Sequence, residues 1–538
     1  MPDIADPQAR VDLPDTGRQT RAAESSAVLW LVLAGGVLLL LLGWLLPWFV
    51  EQTASGVGHS PMDVIVSSPT GIGWLAVWAM GICMLALLAG VGYDVFAQLT
   101  ERATPFRWSR IRAGLAILGG LCVLLIFILV VTRSELVFGD QTPDALTDNA
   151  VWMMLTGFGL LAFSYGLRPW VVTHGGLAFT AVAFVVGGLF PLMFNQSPGF
   201  VVWGAQFAGI YTLLALGLNV VVGFAGLLDL GYAAFFAIGA YSTASLSSAA
   251  HGIHLPFWVI IFIGAAAAGL FGALLGAPTL RLRGDYLAIV TLGFGEIVPD
   301  AARNSLFGNL ARPSTGGPNG ISGVDSPAFP THGHAIFDYG LFGANPRPYY
   351  YTILILVALI VVVLRNVERS RLGRAWVAIR EDEVAAAATG INTVQTKLLA
   401  FAIGASVSGF AGAFFGAMLG TVTPDNFEFA VSVTALTTVV LGGIGNITGV
   451  IVGALLVSFV IFWVLPGLQE WMGTVGNTVG ISGLSTIQYS DYKYVVYGLI
   501  LIGIMLLRPS GLLPSRARKV ELETGAESEP LAAVRETG

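Results

Sequence analysis

Charge is what this chain most conspicuously lacks. Asp, Glu, Lys and Arg make up 11% of its 538 residues, against about 25% in soluble domains. That deficit excludes an ordinary water-soluble domain. Cysteine is nearly absent too: Cys83 and Cys122 each lie inside an apolar run, which excludes a disulfide scaffold. Lysine occurs only as Lys397, Lys493 and Lys519, and none of them follows a glycine. The chain therefore has no Gly-Lys-Ser or Gly-Lys-Thr and no phosphate-binding loop of that kind. Neither a nucleophile elbow nor a nucleotide fingerprint occurs. His251/His254 and His332/His334 form close pairs, but no Cys or acidic ligand set accompanies them, so no metal site is expected. The basic residues are scattered, which gives no footprint for nucleic acid. No cofactor is expected in this chain.

What is present is apolar sequence. Hydrophobic residues reach 55% and the 68 glycines are many, and the mean hydropathy is +0.78. A bilayer core needs about 20 apolar residues per helix. Candidate spans are Val28–Val50, Gly71–Gly92, Ala113–Thr132, Val151–Leu167, Val171–Phe190, Phe200–Val222, Gly231–Ala250, Pro256–Thr279 and Tyr286–Arg303. Tyr350–Arg365, Lys397–Gly420, Val431–Ile444, Thr448–Leu465 and Tyr492–Leu507 follow. The fold class expected is an all-α polytopic membrane protein with about fourteen transmembrane helices. Arg-bearing loops mark the cytoplasmic side: Arg102–Arg112, Arg168, Arg281/Arg283, Arg365–Arg380 and Arg508–Lys519. The loops Glu51–Thr70, Pro191–Gly199 and Pro466–Asp491 carry no Lys or Arg and belong outside. Alternation through these spans puts both termini in the cytoplasm. The expected organisation is a disordered segment 1–27, an N-terminal transmembrane extension 28–167, a core 168–514 and a disordered acidic tail 515–538. Within the core, 304–349 is an outer loop and 366–396 an inner one.

Two features carry functional content. The inner loop runs Arg369 to Gly390, mixes both signs of charge and ends in the Ala-rich stretch Glu383–Ala388. Such sequence favours a helix, with Gly390 as its stop. Exposed alanines would let a partner dock closely, with charge fixing the register; the alternative is a solvated linker at the membrane surface. The second feature is polarity at membrane depth. Asn219, Asp229, Thr291 and Glu296 sit in or beside apolar runs, where a carboxylate is costly unless it faces a bundle interior or a wet path. They line a polar path or bond within the bundle, and Asp285 pairs with Arg281 or Arg283. The clusters Gly223/Gly226, Gly293/Gly295 and Gly442/Gly443/Gly445, followed by Asn446, suit helix breaks or close packing. Val221–Gly226 and Val440–Gly445 also read as a faint internal repeat, or as chance in a Gly/Val-rich chain.

Glu383-Val384-Ala385-Ala386, with Gly390 four residues on, resembles the coupling loop of ABC importer permeases. The wording of Arg371–Gly390, Leu218–Gly223, Asp229–Tyr232, Gly239–Tyr241, Thr315–Ile321 and Arg508–Pro514 is similar to the M-type permease subunit of branched-chain amino acid importers. The match runs in order from about Phe200 to Pro514 and departs at Asp229, where that family commonly has an apolar residue. The resemblance implies a permease-type core with extra N-terminal spans in a bacterial plasma membrane. It implies a second, H-type permease subunit, two cytoplasmic P-loop ATPase subunits holding ATP and Mg, and an external solute-binding protein. Arg371, Gly373, Arg374, Arg380, Glu381, Asp382, Glu383, Ala385, Ala386 and Gly390 would then dock the ATPase. The chain itself would be a transport subunit and no enzyme. The rival readings are an ion-coupled secondary transporter and an ABC permease for urea or short amides.

Overall fold

The computed structural model describes chiefly residues 198–248, 252–279, 285–304, 315–327, 346–461 and 511–513, with short pieces between 36 and 191 and between 495 and 506. The chain divides into two units, Met1–Ser197 and Pro198–Gly538. In the first, β1 (Phe49–Val50) pairs antiparallel with β2 (Gly58–His59) and with β3 (Ala145–Leu146). The spans expected there lie mostly outside the described residues, as do Tyr492–Leu507 and the two tails.

The second unit is helical. It opens with α1 (Pro198–Trp203), a π-helical turn over Gly204–Gly209, α2 (Ile210–Leu218) and a second π-helical turn over Asn219–Phe224. Then come α3 (Ala233–Leu246), α4 (Phe257–Thr279), α5 (Asp285–Arg303) and α6 (Arg347–Arg369). The inner loop holds α7 (Arg371–Glu381) and α8 (Glu383–Ala388), and α9 (Thr393–Leu419), α10 (Phe429–Gly442) and α11 (Ile447–Phe459) follow. Val201–Phe224, Phe257–Ala277, Arg347–Arg369 and Thr393–Leu419 are long and apolar enough to cross a membrane. By contrast α3, α10 and α11 have 14, 14 and 13 residues, so each reaches only about 20 Å of a hydrocarbon core about 30 Å thick. Glycine-containing turns explain the shortness of α10: Gly443 and Gly445 take positive φ just after it.

Helix α9 is the axis of this unit. It packs on α2, α3 and α4, and its small residues let backbones approach closely. A Cβ on Gly412 would collide with the Phe236 carbonyl, and one on Gly239 with Gly409. The Tyr232 hydroxyl donates to the Gly404 carbonyl across 2.8 Å. At 27 residues, α9 is about 40 Å long. Its first turn touches α7 and α8. Its far end leads into β7 (Thr421–Val422), which pairs with β6 (Ile321–Ser322). The inner-loop helices and the β6–β7 pair therefore lie at opposite ends of the same helix. Near the latter end, β4 (Ser247–Ser248) pairs with β5 (Ile253–His254), and Ser248 bridges to Val324. His254 Nδ1 lies 2.6 Å from Asp325 Oδ2 there; the pair 332/334 lies outside the described residues.

Candidate coupling and translocation site

The inner loop forms two helices where a single one was expected. Ser370 caps α7, its hydroxyl accepting from the Leu372 and Gly373 amides. A Cβ on Gly373 would collide with the Glu368 carbonyl, so this residue permits the tight turn out of α6. The break falls at Asp382, whose extended backbone ends α7 and whose carboxylate accepts from the Val384 and Ala385 amides at 2.8 and 3.0 Å. An N-cap of this kind contributes about 1 kcal/mol. Asp382 is thus occupied as a cap. Gly390 terminates α8 as expected. Its φ is +91°, its amide reaches the Ala387 carbonyl and that of Ile391 the Ala386 carbonyl, which is a Schellman closure.

The faces of these helices separate cleanly. Trp376 is fully buried and Ile379 and Ala386 nearly so, whereas Arg371, Arg374, Glu381, Asp382, Val384, Ala385, Ala387, Ala388 and Gly390 are exposed. Ala386, expected at a partner contact, faces its own chain. Glu383 also turns inward: its Oε1 lies 2.6 Å from Nζ of Lys397, whose side chain is only 10% exposed. Trp376 Nε1 donates to the Thr396 carbonyl at 2.7 Å. Arg380 turns inward as well and donates from Nη1 to the Gly223 carbonyl at 2.7 Å.

The glycine breaks meet in space. Asn219 is fully buried and its Oδ1 accepts from the Gly445 amide at 2.9 Å. A Cβ on Gly223 would stand 2.7 Å from that same nitrogen. Asn446 caps α11 and donates from Nδ2 to the Leu513 carbonyl at 3.0 Å. A Cβ on Gly442 would collide with the Gly449 carbonyl, which holds α10 against α11. Gly226 takes φ +70° and lies against the Arg380 side chain.

The other polar residues gather around α5. Thr291 Oγ1 accepts from the Leu230 amide at 3.1 Å and donates to the Ala288 carbonyl. Gly231 lies against Thr291 and Gly295 so closely that a Cβ on either glycine would meet backbone. Asp229, in the irregular connection 225–232, is 1% exposed; its Oδ1 accepts from the Gly231 amide at 2.9 Å and its Oδ2 has no hydrogen-bond partner among the described residues. Burial pushes its carboxyl up to about 6, the Gly231 amide pulling the other way. Glu296 stands on the exposed face of α5 with Tyr286, Ile289, Gly293 and Ile297, and a Cβ on Gly293 would meet open space. These positions recur at three- and four-residue intervals, so they form one stripe. Residues 281 and 283, offered as partners of Asp285, lie outside the described residues.

The family described as "Branched-chain amino acid transport system / permease component" matches residues 200–505. The chain belongs to this family. It is therefore a multi-pass membrane protein and a transport subunit. It is 41% identical over 332 residues to the high-affinity branched-chain amino acid transport system permease protein LivM of Escherichia coli, covering 59% of this chain and 71% of that one. It is 27% identical over 315 residues to LivH of Salmonella typhimurium, covering 58% and 93%. BraD of Pseudomonas aeruginosa is 28% identical over 327 residues, covering 58% and 93%. No solved structure matches.

Of the residues that the permease family resemblance assigns to a docking surface, Arg380 is bonded to the Gly223 carbonyl and Glu383, its side chain 40% exposed, is paired with Lys397. Trp376, Phe224 and Lys397 were not singled out from sequence. A signal was available for Trp376, which shares a helical face with Leu372, Ile379 and Arg380.

Proposed function

We propose that this chain is one membrane subunit of an ATP-driven importer for branched-chain or related amino acids. It works with a second, H-type permease subunit, two cytoplasmic P-loop ATPases that hold ATP and Mg, and an external binding protein that delivers the solute. About fourteen spans in a bacterial plasma membrane, with both termini inside, agree with the basic-loop pattern. The observation that carries the reading is the surface of α8. Val384, Ala385, Ala387 and Ala388 are exposed, the helix is capped at both ends, and Glu383 and Ala386 fix it to its own chain from behind. A rigid, small-residue face with bracing on one side suits docking of a moving partner. The stripe Tyr286, Ile289, Gly293, Glu296 and Ile297 supports a path or subunit boundary along α5, because a carboxylate facing lipid is costly.

The chain is expressed together with candidate P-loop ATPase subunits, an H-type permease subunit and a solute-binding protein, and co-purification and solute uptake are measured together. Ala385→Trp and Ala388→Trp remove ATPase co-purification and uptake while the chain stays in the membrane. Ala386→Trp instead lowers the amount of folded chain, since overpacking costs about 1–3 kcal/mol. Wild-type co-purification in both surface variants overturns the docking assignment.

A further inference from the structure

Two side chains one helical turn apart on α7 reach the same short segment. Arg380 Nη1 donates to the Gly223 carbonyl at 2.7 Å, and its aliphatic stem lies against Gly226. The Trp376 ring stacks on Phe224, with centroids 6.4 Å apart and planes 9° from parallel. Residues four apart project from one side of a helix, so α7 grips the 223–226 backbone along one line. That segment is the end of the π-helical turn, where the regular helical hydrogen bonds have already given way. Gly223 belongs to the same turn as Asn219, whose Oδ1 holds the Gly445 amide. The 443–446 turn is bonded onward through Asn446 to Leu513. A second strut runs in parallel, from Arg365 on α6 to Thr448 on α11 at 3.3 Å.

We infer that Arg380, with Trp376, is a positioning latch that transfers movement of the α7–α8 loop to the 219–226 turn, and that Asn219 passes it to the 443–446 turn. The inference rests on the reading that α8 docks an ATPase, and it adds the route by which that contact acts on the helix breaks. The geometry favours transfer over simple anchoring. Irregular turns are the segments that absorb backbone rotation in conformational change, and the latch closes on two of them in series while the long helix α9 stays close-packed.

The test uses the full complex in proteoliposomes, with Ile444→Cys introduced beside Gly445 as a reporter. Three readouts are taken: ATPase co-purification, solute taken up per ATP hydrolysed, and the thiol-labelling rate of residue 444 with and without ATP. Arg380→Gln keeps co-purification, lowers uptake per ATP about tenfold and abolishes the ATP-dependent change in labelling. Arg380→Lys, which restores one cationic donor, recovers part of both. If the parent complex fails to co-purify an ATPase, the docking reading falls. If it co-purifies and Arg380→Gln retains both the parent ratio and the parent labelling change, the latch falls alone. Should Arg380→Gln not reach the membrane, Asn219→Ala replaces it, because the latch is then intact and only the second link is cut. An unaltered labelling change at residue 444 in that variant overturns the inference as well.

Discussion

Replacing Glu383 with Gln leaves an ammonium buried without its counter-charge. Lys397 lies in the first turns of α9 and is 8% exposed, with Glu383 Oε1 at 2.6 Å from its Nζ. Breaking a fully buried ion pair from one side costs about 3–5 kcal/mol. Here the Glu383 side chain is 40% exposed, so water partly replaces it, and the expected loss is about 1–3 kcal/mol. Lys397→Met keeps most of the apolar stem and removes the charge that needs a partner, so it costs less than Glu383→Gln, about 1 kcal/mol or below. The double variant recovers much of what Glu383→Gln loses, because neither residue then leaves an unpaired charge. The assay is thermal unfolding of the detergent-purified complex, with ATPase co-purification measured on the same preparations. If Glu383→Gln unfolds like the parent but loses the ATPase, the carboxylate acts on the partner and its inward assignment is wrong. If the two single losses simply add in the double variant, the pair has no coupling and the reasoning fails by that route.

Two further expectations follow from the described packing. Gly412→Ala drives a methyl into the Phe236 carbonyl, a backbone atom with no rotamer to yield, so the α3–α9 crossing loses about 1–3 kcal/mol and monodisperse yield falls; a parent-like melting profile refutes the close approach. Asp229 has its carboxyl raised by burial to about 6, from 3.8. The native state therefore binds more protons than the unfolded chain between those values, and stability declines as pH rises from about 4 through about 6 and levels off above. The loss is of the order of 3 kcal/mol. Asp229→Asn flattens that part of the profile, and an unaltered profile in the variant shows that the carboxyl does not titrate there.

Length and hydropathy made the long helices legible. The expected spans Phe200–Val222, Pro256–Thr279 and Lys397–Gly420 correspond to long apolar helices because each combines about 20 apolar residues with few charges. Gly390 was legible as a stop because an alanine run closed by glycine has one common geometry. The break at Asp382 was masked by the neighbouring charges, although Asp before an alanine run carries the N-cap signature. Whether a charge in Arg369–Gly390 points outward or inward depends on contacts with α9 and with the 219–226 turn, which are distant in sequence. The meeting of Asn219 with Gly445 is of the same kind. For Glu296 the sequence leaves a polar path and a bond within the bundle both open, because an apolar helix does not show which way its one central carboxylate faces. Its exposure follows from the period of α5, which places it with Tyr286, Ile289 and Ile297.

The burial of Lys397 has a practical consequence for finding neighbours of this subunit. Between residues 198 and 461 it is the sole lysine, and its amine is held against Glu383. Reagents that acylate primary amines therefore find little to attack on this part of the surface, including the α8 face. A crosslinking map built on such chemistry would show few links to this region even in an intact assembly. Reagents that activate carboxylates have Glu381 exposed on the inner loop, and they would report on the face that amine chemistry leaves silent.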